Sequence, residues 1–189
     1  MVVAKNQFYF SMATGTYGII STSFTSATIV YGFGTSGTYG PGNYRGMCYD
    51  PVNNNIVAAN YASSSVEILS IKLAFISTVA LPTNPHGVMS YNSKIYVCYW
   101  TNGHIAVISN GVITNTFATL CSSAIPTLGV DPYGNILIPC YPTGITYLYD
   151  STVTYINKFL TVSGNVLFGF IDSKDHLALA SYSTVYLFY

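Results

Sequence analysis

The feature that most constrains this chain is a phrase that returns about every forty residues. Asp50-Pro51-Val52-Asn53-Asn54-Asn55-Ile56-Val57 leads to Tyr61, and Ser90-Tyr91-Asn92-Ser93-Lys94-Ile95-Tyr96-Val97 leads to Trp100. Asp131-Pro132-Tyr133-Gly134-Asn135-Ile136-Leu137-Ile138 leads to Tyr141, and Asp172-Ser173-Lys174-Asp175-His176-Leu177-Ala178-Leu179 leads to Tyr182. The residues that open the turn (Asp50, Ser90, Asp131, Asp172) are 40, 41 and 41 apart, and the aromatics 39, 41 and 41. A period of this size belongs to a chain of repeated supersecondary units, each too small to bury its own apolar face.

The interior of the unit is all β. A Gly-bearing strand leads in, through Gly46, Gly87, Gly129 or Gly169, and an Asp/Asn/Gly turn of hairpin chemistry follows. A β-branched strand then ends at the aromatic, and a short Ser/Thr/Gly loop leads to a third strand. The third strands are Val66–Leu69, Ile105–Ile108, Ile145–Tyr149 and Val185–Phe188. Fourth strands are expected at Ala74–Leu81, Val112–Leu120 and Val153–Leu160, and sustained helical periodicity is absent. Four antiparallel strands per repeat predict an all-β fold, a small β-propeller of five blades with three to four strands each. The expected blades are 1–43, 44–83, 84–124, 125–164 and 165–189 of a single domain. In the first blade, Phe8–Ala13, Tyr17–Ser21 and Ala27–Phe33 read as second, third and fourth strands, with the first missing or vestigial. Closure by a neighbouring chain is the alternative to a five-bladed propeller.

Asn84-Pro85-His86-Gly87-Val88 with Ile95-Tyr96-Val97 and Ile105-Ala106-Val107-Ile108 resembles the NHL-type propeller repeat, as does Pro126-Thr127-Leu128-Gly129-Val130-Asp131 with Gly134-Asn135-Ile136. The resemblance spans residues 44–189 and implies the fold rather than an activity. NHL domains that bind RNA do so with a basic face. This chain has one arginine, Arg45, so that role does not carry over.

Chemistry-bearing residues are few. Charged residues make up 6% of the 189, six basic against six acidic, where an ordinary domain has about 25%. No basic surface can track a phosphate backbone, so nucleic-acid binding is excluded as an expectation. The apolar half of the composition and its 15% aromatics exclude disorder. Asp50, Asp131 and Asp172 share one repeat position, which reads as turn formation rather than as a glycosidase carboxylate pair. Glu67 and Asp150 have no evident acidic partner. His86, His104 and His176 fall at three different blade positions and gather no second ligand type, so no metal is expected. No P-loop, nucleophile elbow or phosphate cradle occurs, and no cofactor and no enzymatic activity are expected. Cys48, Cys98, Cys121 and Cys140, spaced 50, 23 and 19 apart, match no zinc or redox pattern. They read as small buried hydrophobes, with a disulfide open as an alternative.

That leaves the aromatics. Tyr61, Trp100, Tyr141 and Tyr182 all end second strands and are the candidate interface or glycan contacts, the alternative being packing between blades. A neutral, charge-poor surface favours burial in a permanent assembly and makes the chain insensitive to acid. The start lacks the order of a secretory signal, no sequon occurs, and no apolar run is long enough to span a membrane as a helix. A protein made without a signal of its own, yet built for an exterior setting, fits a virion. The Tyr-, Ser- and Thr-rich style is similar to structural proteins of viruses that infect hot, acidic archaea. The expectation is a tail or nozzle subunit located in the virion, whose partners are copies of itself and other virion proteins. A carbohydrate-binding adhesin that takes a host surface glycan is the alternative.

Overall fold

The structure, a computed structural model, describes residues 2–4, 7–11, 17–21, 30–32, 43–121, 128–131, 133–166, 168–171, 177–180 and 184–188. Side chains are described from residue 43 onward, those of 168–171 excepted. Among the described residues there are nineteen strands in five antiparallel sheets, and no helix. The first sheet holds β1 (Val2–Ala4), β2 (Gln7–Ser11), β3 (Tyr17–Ser21) and β4 (Val30–Gly32) in chain order. The second holds β5 (Tyr44–Asp50), β6 (Asn55–Asn60), β7 (Ser65–Ser70) and β8 (Phe75–Ala80). The third holds β9 (Pro85–Tyr91), β10 (Lys94–Tyr99), β11 (His104–Ser109) and β12 (Val112–Ala118). The fourth holds β13 (Gly129–Val130), β14 (Ile136–Pro139), β15 (Ile145–Tyr149) and β16 (Tyr155–Thr161). The last has three strands, β17 (Phe168–Ile171), β18 (Leu177–Ala180) and β19 (Val185–Phe188). Every sheet is a meander, each strand pairing with the next in sequence.

The first sheet decides between a missing and a vestigial first strand. It has its first strand: β1 pairs Val2 with Tyr9, Val3 with Phe8 and Ala4 with Gln7. Three residues are too few for an alternation pattern to register, which is why periodicity alone left its presence open. The expected stretches 12–13, 27–29 and Phe33 lie outside the described residues, as do Asp172, His176 and Tyr182.

Burial grades from inner to outer strands. Where side chains are described, the second and third strands of the four-stranded sheets are mostly buried on both faces. In β6, Ile56, Val57, Ala58 and Ala59 are fully buried, and β10 and β11 repeat the pattern. The fourth strands β8, β12 and β16 are exposed over most of their length: β8 buries Val79 alone, and β12 and β16 bury no residue outright.

The chain divides into two compact units, Met1–Val97 with Val107–Thr114, and Cys98–Ala106 with Asn115–Tyr189. The first has a core of Tyr44, Met47, Ile56, Ala58, Leu69 and Leu73. Its inner strands β5 and β9 pack at Gly46. A Cβ built there would sit 2.6 Å from the His86 carbonyl oxygen and 2.9 Å from the Gly87 Cα. The glycine of the lead strand is thus required by close backbone approach. The second unit has a core of Leu137, Leu148, Val162, Val166, Leu177 and Leu179, which joins its two sheets. Tyr186 of β19 fixes this join by donating its hydroxyl to the Ser163 carbonyl at 2.7 Å.

Turn chemistry follows the residues. Asn92 and Ser93, between β9 and β10, have φ of 48° and 61°, and Asn110 and Gly111, between β11 and β12, have 51° and 77°. Two positive φ angles in a two-residue loop make a type I′ hairpin, whose twist matches that of the strands it joins.

Candidate functional site

The expected aromatics occupy one place in the repeat, the turn after the second strand. Tyr61 follows β6, Trp100 follows β10, and Tyr141 comes just after β14; all three are half-buried. They differ in what covers them. The Arg45 guanidinium lies 5.3 Å from the centre of the Tyr61 ring, a cation–π arrangement that uses the single arginine of the chain. The Tyr61 backbone is held as well, its N–H donating to Asn43 at 2.8 Å and its carbonyl accepting from Asn84 Nδ2 at 2.6 Å. Trp100 and Tyr141 meet each other, with centroids 5.5 Å apart and planes inclined at 31°. Such a pair is worth about 0.5–1.5 kcal/mol beyond the area it buries. The Tyr141-Pro142 peptide bond is cis.

The carboxylates are engaged in local structure. Asp50 Oδ1 accepts the Val52 N–H at 3.2 Å and the Ser90 hydroxyl at 3.0 Å, and Oδ2 accepts Asn53 Nδ2 at 2.7 Å. Asp131 closes the equivalent turn of the fourth sheet, accepting the Tyr133 and Asn135 N–H groups at 2.9 and 2.8 Å. Asp150 takes the same role between third and fourth strands, accepting the Thr152 and Thr154 N–H groups and the Thr152 hydroxyl. The Thr152 hydroxyl, and after it the backbone donors, hold the Asp150 carboxyl below its ordinary value of 3.8. All three are Asx-type turns, in which the side chain imitates a backbone acceptor.

Glu67 is the carboxylate that sequence reasoning placed least well. It is buried in β7, the Tyr44 hydroxyl lies 3.0 Å from both of its oxygens, and Asn60 Nδ2 donates to Oε1 at 2.9 Å. The cluster ties β5, β6 and β7 together, and Asn60 Oδ1 in turn accepts the Ser63 N–H at the next turn. Tyr44 and Asn60, both polar, stand at the ends of strands. The signal that could have found the cluster is their pairing opposite each other in register.

His104 Nδ1 lies 2.7 Å from the Asn102 carbonyl, and His86 stands in β9. Among the described residues no three His, Cys, Asp or Glu side chains converge on a point that could hold a metal. The cysteines divide. Cys121 and Cys140 form a disulfide with Cα atoms 5.4 Å apart, so the reading of all four as plain buried hydrophobes is corrected for these two. Cys140 directly follows β14 and Cys121 stands three residues after β12, and the fold brings these two strand ends together. Cys48 and Cys98 take no part in a disulfide. Desolvation, and then the charge of Asp50, push the Cys48 thiol far above its ordinary value, so it forms no thiolate near neutral pH.

No family model matches the chain, and no curated protein matches it. Solved structures do. Virginiamycin B lyase from Staphylococcus aureus superposes with a TM-score of 0.77 at 11% identity, covering 100% of this chain and 68% of that one. The WD40 β-propeller domain of Doa1 gives 0.73 at 12%, with coverages of 98% and 62%. Hydrazine synthase from Kuenenia stuttgartiensis gives 0.74 at 12%, with coverages of 94% and 53%. The chain thus spans between about half and two thirds of the length of these neighbours. Identities this low show the fold alone, and the fold is that of a β-propeller. Two of the neighbours are enzymes. The expectation that this chain has no enzymatic activity is therefore corrected: a shortage of titratable residues does not exclude catalysis on a scaffold that carries it elsewhere.

Proposed function

We propose that this chain is an assembly propeller, a structural subunit that packs against further copies of itself through the outer strands of its blades. The observation that carries this reading is the apolar, nearly charge-free surface of those strands. Ile76 is 51% exposed on β8, Val112 59% on β12, Phe159 48% on β16 and Leu187 55% on β19. Lys158 is the one charged residue among these four strands. Natural edge strands are blunted by charge, Pro or covering elements, and an edge without them is a template for association. The half-buried aromatics Tyr61, Trp100 and Tyr141 contribute less open area than the outer strands, and their place in the interface is secondary. With its low charge and its hydroxyl- and amide-rich surface, the subunit suits a particle exposed to acid, such as the tail or nozzle of a virion.

The test is mutational. Ile76→Lys and Phe159→Lys alter exposed positions and leave the cores intact. Sedimentation of each variant beside the unaltered protein is expected to show loss of the higher-order species. Unchanged assembly in both variants would overturn the outer-strand reading, and absence of the protein from purified particles would overturn the virion setting.

A further inference from the structure

A cleft of about 480 Å³ opens in the first unit where the turns of the second and third sheets face each other. Its volume falls within the range of about 300–1,000 Å³ of small-ligand sites. The floor is apolar: Ile95 and Ile108 are buried and Ile68 lies beside them. The rim is uncharged and carries the polar Asn53, Asn55, Ser77, Ser93 and Asn110 beside the exposed side chains of Val52 and Ile76. Asp50 is the only ionisable residue in the lining, and both of its oxygens already accept hydrogen bonds from Val52, Ser90 and Asn53. The cleft therefore offers no cation to an anionic ligand and no uncommitted carboxylate to a cationic one. Ser93 and Asn110 sit in type I′ turns of fixed geometry, so this part of the rim is formed before any ligand arrives.

We infer that this cleft binds a neutral pyranose sugar ring. A pyranose has a C–H face, which suits the isoleucine floor, and a girdle of hydroxyls that both donate and accept. Asn side chains supply both roles in one group, and Ser hydroxyls do the same. A fully apolar ligand would strand the rim groups without partners, and a charged one would lose its hydration with nothing to replace it. The site shares Ile76 and Ser77 of β8 with the outer-strand surface proposed for assembly, whereas Phe159 of β16 and Leu187 of β19 lie outside its lining, so the sedimentation of Phe159→Lys tests assembly apart from the sugar.

The experiment is a titration of the intact protein with neutral methyl hexopyranosides and N-acetylhexosaminides at millimolar concentrations, read by methyl and indole NMR signals. A neutral glycan array serves as a parallel arm. The expected result is saturable shifts of the Ile95 and Ile108 methyls with the Trp100 indole signal unmoved. Binding to free glycosides alone assigns the site to a free sugar, and binding to array glycans assigns it to a glycan end. Ser77→Arg and Val52→Arg, both at exposed positions, are expected to abolish the shifts without lowering the melting temperature. Either variant that folds suffices. No saturable shift with any sugar, shifts centred on Trp100, or binding that survives both substitutions would overturn the assignment.

Discussion

At the scale of single residues, the polar side chains of this protein hold its strands and turns in place. Glu67 is the strongest case, a buried carboxylate whose two oxygens are held by Tyr44 and Asn60. Glu67→Leu removes the acceptor and leaves a buried hydroxyl and amide facing an apolar group. The expected loss is on the order of 2–3 kcal/mol, measured by denaturant unfolding. Asp150 gives a pH prediction. Its carboxyl titrates lower in the folded chain than in the unfolded one, so the unfolded state takes up protons first as pH falls. Its contribution is fully present above the ordinary value of 3.8 and is lost as pH falls through the lower folded value. Asp150→Asn is therefore expected to be less stable than the unaltered protein at neutral pH, with the gap closing below pH 3.8. Unfolding midpoints at several pH values check this. The turn role of Asp50 and Asp131 was legible in the sequence because Asx turns are local. The Glu67 cluster was not, because its members are brought together by register across three strands.

At the scale of elements, strand assignment was legible where alternation or β-branching persisted for four or more residues. Ile145–Tyr149 and Val185–Phe188 are strands with those bounds. The three-residue β1 was beyond that signal. The lead-strand glycines were visible as a repeat, but the reason for Gly46 appears only when β9 lies against it. Gly46→Ala places a methyl group inside contact distance of the backbone at His86 and Gly87, neither of which can move like a flexible side-chain end. A cost of about 1–3 kcal/mol is expected from this overpacking, with the unfolding midpoint as the readout. The outer strands share a composition that the sequence already displays, yet their exposure on both faces follows from their position as the last strand of each sheet.

At the scale of the whole molecule, two features set its behaviour: the cysteine chemistry and the near-absence of charge. Cys121 and Cys140 close a loop of sequence separation 19. A crosslink over a loop of that size is worth about 3 kcal/mol in the chain-entropy account. Their spacing resembles no motif, so only the fold could reveal the pair. A thiol assay on the folded, unreduced protein is expected to find no reactive group, since Cys98 is buried and burial suppresses the Cys48 thiolate. After unfolding without reductant it should find two thiols, and four would contradict the disulfide. The charge pattern was fully legible. Six carboxylates in 189 residues leave little for acid to titrate, and three of them are spent on turns.

The central claim, that this propeller is an assembling structural subunit, is met most directly by the mass of the purified protein in solution, measured by light scattering near neutral pH and near pH 3. The account predicts one discrete species, a multiple of 20.4 kDa, retained at both pH values. A mass of 20.4 kDa at both would contradict it.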